Sequence, residues 1–196
     1  MIQPSFYSDP SAMLFPRRFT RDRSPLALTG VREGDRLLQI GVDDPRLSAA
    51  IANRVGADGH AAIAVADHDQ ADRAQEAAVR GQVHVEVRLG ALDALPFYPD
   101  SFDLVIVHAE AMAVDLDDLS GRAILRDVRR VLRTGGRVVI LEGGTRDLLR
   151  RLSRRRISQI GTRLNTLRAA GFTAAELVEE RGGYRVFEAA KARLDT

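Results

Sequence analysis

RLLQIGVDDPRLSAAIANRVG, residues 36–56, contains a complete architectural unit. Asp35 to Ile40 forms a short apolar run, Gly41 interrupts it, and Leu47, Ala50, Ile51 and Val55 then recur at helical spacing until Gly56. This is strand, turn, helix and glycine stop. The unit repeats downstream: AAIAVAD (61–67) is a second strand, and a helix capped by Asp69 runs through QADRAQEAAVR to Gly81. VHVEVRL (83–89) is a third strand, with Val83, Val85, Val87 and Leu89 alternating. FDLVIV (102–107) and RVVIL (137–141) are a fourth and a fifth, on either side of a helix over 119–132. Continuous apolar strands alternating with helices require a mostly parallel sheet covered on both faces, because neither face of such strands meets water. The fold class is α/β.

Further out the pattern weakens. TRDLLRRLSRRRISQIGTRLNTLRAAGF (145–172) is helical, with an interruption expected near Gly161. Leu177 to Glu180 and Tyr184 to Ala189 flank RGG and form a hairpin. Residues 1–30 hold Pro4, Pro10, Pro16 and Pro25 with little periodicity, which predicts an irregular N-terminal arm holding at most one short helix; residues 31–196 are expected to form a single domain.

Composition narrows the function classes. A chain of 196 residues that is 45% hydrophobic and 29% charged can bury a sizeable core. Its longest apolar runs are strand-sized, and the start MIQPSFYSDP lacks a basic stretch followed by a hydrophobic one, so neither export nor a membrane span is expected and a cytoplasmic home is the default. The absence of cysteine excludes disulfides, a thiolate nucleophile and cysteine-ligated metal, and no metal site is read elsewhere. Lys191 is the only lysine, and the net charge of +2 is a weak pointer to nucleic acid despite a pI near 9.5.

ALPFYPDSFDLVIV (94–107) and ILRDVRRVLRTGGRVVILEGG (124–144) closely resemble two signatures of the class I S-adenosylmethionine-dependent methyltransferases, the small-molecule methyltransferases that include the ubiquinone-biosynthesis enzymes. The similarity runs from about Gly34 to Ala189 and is most specific from Gly90 to Glu142. It implies a Rossmann-like, seven-stranded, mostly parallel sheet with helices on both faces and an antiparallel last strand. The cofactor, S-adenosylmethionine, would lie over the carboxyl ends of the first strands, where open α/β sheets bind ligands. The two signatures themselves are structural: Pro96 fixes a turn, Phe102 and Leu104 seat the fourth strand, and Gly135 and Gly136 permit the exit from a helix ending at Arg133. They speak for fold more than for activity.

The cofactor loop departs from that family. Where relatives carry an acid and three glycines in D-x-G-x-G-x-G, this chain has Gln39, Gly41, Asp43 and Pro45. A side chain at Asp43 fills space that glycine leaves open, and Pro45 fixes φ and deletes a donor. A carboxylate about 4 Å from that of the cofactor would repel it by about 4 kcal/mol at an effective dielectric near 20. The same residues suit local structure, with Asp44 as N-cap and Pro45 at the first helical position, so the segment is read as a self-capped helix start. A dinucleotide fingerprint is excluded as well, since Asp43 and Arg46 stand where it needs glycine.

Other contacts implied by the resemblance are partly kept. The acid that would receive the adenine amino group is Ala91 here, with Asp93 two residues on as the substitute. Asp67 either accepts both ribose hydroxyls or simply starts the next helix. His68 lies beside it at the same strand end. The cofactor positions are thus Gly41, Asp67, His68 and Asp93. Methyl transfer from a sulfonium depends chiefly on positioning, so a dedicated base is not always needed. His108, with Glu110 nearby, is the candidate base or acceptor-positioning group; the competing reading is a polar strand exit with no chemical task.

Arg146, Arg150, Arg151, Arg154, Arg155 and Arg156 lie within eleven residues. Guanidinium groups grip phosphate oxygens, so RNA or an anionic metabolite is a candidate partner, but the lack of interleaved aromatics favours a solvated helix face. Two main functions remain: methyl transfer to a small-molecule acceptor with weakened cofactor binding, or a non-catalytic methyltransferase-fold protein that acts as a binding or assembly partner. Oligomeric state is not legible.

Overall fold

The computed structural model describes residues 24–143, 155–181 and 184–192, with side chains described throughout except at 155–159 and 181. The elements follow as α1 (Pro25–Leu28), β1 (Arg36–Ile40), α2 (Pro45–Asn53), β2 (His60–Val65), α3 (His68–Arg80), β3 (Glu86–Leu89), β4 (Phe102–His108), α4 (Leu119–Val131), β5 (Leu132–Gly143), α5 (Arg155–Ala169), β6 (Thr173–Arg181) and β7 (Tyr184–Ala190). They build one seven-stranded sheet in the order β3-β2-β1-β4-β5-β7-β6. Strands β1 to β5 pair in parallel, and β7 runs antiparallel to both β5 and β6. This is the Rossmann-like methyltransferase arrangement, with the expected reversed final strand.

Alternation along the strands sorts the core into two layers. Leu38, Ile40, Val105, Val107, Val138, Ile140 and Phe187 face α4 and α5, burying Leu125, Val128 and Leu167. Leu37, Ile63, Val65, Leu104, Ile106, Val139 and Val186 face the other way, against Ile51 of α2, Val55 just beyond it, and Ala74 and Ala78 of α3. Burial on both faces is why the central strands are so largely apolar, and Gln39 and His108 stand out as polar residues within them. The order of strands reverses between β1 and β4, so the carboxyl ends of β1, β2 and β4 border the switch point.

Several details differ from expectation. Asp67, not Asp69, caps α3, because its carboxylate stands three residues before the Gln70 amide it accepts, while Asp69 lies inside the first turn. α5 passes through Gly161 without a break; a side chain there would meet only open space, and the burial of Leu167 offsets the roughly 1 kcal/mol that glycine costs a helix. β3 begins at Glu86 rather than Val83, and α4 ends at Val131 rather than Arg133. Gly135, at φ +76°, carries the turn that follows inside β5. The hairpin β6–β7 forms, and α1 supplies the short helix foreseen near the end of the arm. Its Leu26 and Leu28 pack on the α2 side, and Arg137 binds the carbonyl of Thr29 at 3.0 Å. Residues 1–23 of the arm, and Arg146, Arg150, Arg151 and Arg154 of the basic segment, lie outside the described residues, as do the side chains of Arg155 and Arg156. No helix among the described residues is long and apolar enough to cross a membrane.

Candidate functional site

The turn after β1 is built as a helix start. Asp44 is extended, and its Oδ1 accepts the amides of Arg46 at 2.9 Å and Leu47 at 3.3 Å, while its carbonyl accepts from Ser48 at 2.9 Å. Pro45 occupies the first turn, where its missing N–H costs nothing. Gly41 has φ +75°, a conformation open to glycine, and donates its amide to Ala64 at 2.9 Å. A Cβ on Gly41 would come within 2.9 Å of the Ala111 Cβ and 3.4 Å of the His108 carbonyl. A single 3₁₀ turn, Ala109–Ala111, therefore lies directly on the one glycine kept from the loop motif.

The next amide, that of Val42, donates to Gln70 Oε1 at 3.0 Å. Gln70 comes from α3 and is 7% exposed. Its Nε2 donates to Asp67 Oδ2 at 2.6 Å and to the Ala111 carbonyl at 3.3 Å, so one carboxamide ties together the segments leaving β1, β2 and β4. Asp67 is exposed, and the amide and side chain of Gln70 hold its carboxyl below the usual range, with Arg73 adding to the effect. Neither Gln70 nor its role was foreseen, although Asp67-x-x-Gln70 has the spacing of a capping box.

Behind this layer, Gln39 is fully buried where relatives have an acid. Its Nε2 donates to the Ser48 carbonyl at 2.9 Å, which leaves Oε1 to accept from His108 Nε2 at 3.0 Å. The bond pattern requires the proton on Nε2 of the neutral ring. His108, the candidate base, is 2% exposed, and desolvation pushes its pKa down to about 4, with nearby Asp44 opposing. It faces a narrow cavity: the space it lines with Asp43, Asp44, Leu47, Glu110, Leu141, Gly143 and Tyr184 has a volume of about 10 Å³. That is room for about one water molecule.

Charged side chains pair at the neighbouring carboxyl end of β5. Arg163 of α5 binds Glu142 at 2.7 Å and Asp117 at 3.1 Å, and Arg185 binds the other oxygen of Glu142 at 2.9 Å. These long-range pairs had no signal in the sequence. His68 and Asp93, the other candidate contacts, are exposed: His68 is the first residue of α3, and Asp93 sits in the turn after β3.

The signature stretches meet at the opposite end of β4. Arg130 donates to the carbonyls of Phe97 at 2.8 Å and Leu95 at 2.9 Å, and Asp127 accepts the Leu95 amide at 2.6 Å. The helix signature thus clasps the turn signature. A methyltransferase-domain family model matches residues 37–136, just over half of the chain. The chain belongs to the class I S-adenosylmethionine-dependent methyltransferase family.

This methyltransferase-family chain is 32% identical over 130 residues to the ubiquinone/menaquinone biosynthesis C-methyltransferase UbiE of Vibrio vulnificus, covering 64% of the chain and 46% of that protein. With the protein of that name from Idiomarina loihiensis the identity is 33% over 132 residues, covering 64% and 47%. The match thus spans about half the length of these curated relatives. A crystal structure of an S-adenosylmethionine-dependent methyltransferase from Aquifex aeolicus superposes with a TM-score of 0.69 at 16% identity, covering 85% of this chain and 87% of that one. The [4+2]-cyclase SpnF superposes at 0.64 with 18% identity, covering 86% and 78%. At these identities the structural matches report fold.

Proposed function

We propose that this methyltransferase-family protein has weakened or lost S-adenosylmethionine binding and serves as a non-catalytic binding or assembly partner. The observation that carries this reading is the close packing of Ala111 on Gly41, where an added Cβ would lie 2.9 Å from the Ala111 Cβ. The residues present do not fit the cofactor. The Arg46 and Leu47 amides are capped by Asp44, the Asp67 carboxylate is engaged by Gln70, and Ala91 stands in place of the adenine-binding acid. A cavity of about 10 Å³ contrasts with the several hundred Å³ of ordinary small-molecule sites. A base with its pKa near 4 is also poorly matched to proton abstraction at neutral pH, which favours a structural task for His108.

A second reading is methyl transfer to a small-molecule acceptor. It is favoured by the 32% identity to C-methyltransferases over 130 residues. In that reading Gly41, Asp67, His68 and Asp93 hold the cofactor and His108 positions the acceptor. Calorimetric titration of the purified chain with S-adenosylmethionine and S-adenosylhomocysteine separates the two. Silence up to about 1 mM ligand is expected; a micromolar dissociation constant restores the enzyme reading.

A further inference from the structure

We infer that Gln70 is an internal latch, whose carboxamide occupies the place of a ribose-bearing ligand and holds the switch-point crevice shut. The inference rests on the reading that adenosyl binding is weakened, and it names the residue responsible. A primary amide has two N–H donors and an acceptor oxygen, and here all of them are used within the protein: Val42 N–H on Oε1, Asp67 Oδ2 and the Ala111 carbonyl on Nε2.

The partners give the arrangement its meaning. In an ordinary capping box the third residue of the helix turns back to the amide of its own N-cap. Gln70 holds that position after Asp67, yet its oxygen reaches a loop 28 residues away and its nitrogen a turn 41 residues away. Helix capping alone does not require such bonds, because the Asp67 carboxylate already satisfies the Gln70 amide at 2.8 Å. What they achieve is closure: the Gly41–Val42 turn, the end of β2 and the Ala109–Ala111 turn are drawn together over the point where the strand order reverses. An acid at the end of β2 is a natural acceptor for hydroxyls, and an amide after the first strand is a natural donor to a carboxylate or hydroxyl oxygen. Gln70 offers each of them the complementary atom.

A latch lowers apparent affinity by the fraction of molecules that are open, so holding the open form near 1% weakens binding about a hundredfold. Substitutions in the loop itself leave the latch in place. Gln70→Ala in the full chain should therefore bind S-adenosylhomocysteine at least about tenfold more tightly than the wild type, and should add the same factor when Asp43→Gly and Pro45→Gly are also present. The Val42 amide should exchange with solvent at least about tenfold faster in Gln70→Ala, while that of Gly41, bonded to Ala64, stays protected. Should Gln70→Ala not fold, Gln70→Glu gives the affinity readout, because its carboxylate faces that of Asp67 and the Ala111 carbonyl with no proton to donate, although it can still accept from Val42. A silent wild type with a folded variant that fails a readout expected of it overturns the latch and leaves the reading of lost binding intact. Micromolar binding by the wild type overturns both.

Discussion

Gln39 and His108 are hydrogen-bonded across the seam between β1 and β4, Oε1 to Nε2 at 3.0 Å, on a sheet face otherwise lined by aliphatic side chains. The pair makes stability depend on pH. The folded state holds His108 near pKa 4, whereas an unfolded histidine titrates near 6.5, so the unfolded chain binds the extra proton first. Stability is complete above pH 6.5 and falls as the pH drops toward 4. The total loss is about 3 kcal/mol, of which about 2 kcal/mol is gone by pH 5. Urea denaturation at pH 7 and pH 5 measures it, with His108→Gln as the reference for the carboxylates that titrate lower down. A variant as pH-dependent as the wild type over that interval would remove His108 as the cause.

The Asp44 cap is worth about 1 kcal/mol by the usual cost of removing such a residue. Asp44→Ala should lower the urea midpoint accordingly, and Asp44→Ser should recover most of it, because a hydroxyl can also accept the Arg46 amide. If alanine and serine prove equivalent, the carboxylate is not acting as a cap.

The reach of each contact decided what could be read from the chain. Asp44 and Pro45 were legible as a helix start because a cap acts only two and three residues away along the chain. The strands were legible because burial on both faces leaves a continuous apolar run. Asp67 and Asp69 both looked like caps, and only backbone geometry chooses between them. Gln70 looked like one polar residue among many on a helix, since nothing local marks a side chain whose partners are residues 42 and 111. Arg163 was hidden for the same reason, among other arginines, until α5 brought it to Glu142. Gly121 is a similar case: it falls inside α4, and its reason is the Asp115 carbonyl, which a Cβ would approach to 2.2 Å.

Gly41→Ala should destabilise by about 2 kcal/mol or more, from two separable sources. A left-handed backbone costs an L-residue about 1–2 kcal/mol, and overpacking against Ala111 costs about 1–3 kcal/mol. Adding Ala111→Gly should relieve only the second. A double-mutant cycle by denaturation should give a favourable coupling between the two changes; strict additivity would show that the turn does not press on Gly41.

Arg130 should be the costliest charged side chain to remove from the clasp between the two signature stretches. Its guanidinium serves the Leu95 and Phe97 carbonyls and Asp127 at once, at 2.6–2.9 Å. Hydrogen bonds to charged groups contribute about 1.5–3 kcal/mol each when measured singly, but they are not additive, and the carbonyls are partly reachable by water. Arg130→Ala is therefore expected to cost about 2–3 kcal/mol and to open the 92–101 turn to proteolysis. Arg130→Lys should recover less than half of the loss, because one ammonium cannot span both carbonyls and the carboxylate in the same plane. Asp127→Asn should fall between the two, since an amide oxygen can still accept from the Leu95 amide. Equal stability for the arginine and lysine proteins would mean that charge alone, rather than the planar fork, holds the turn.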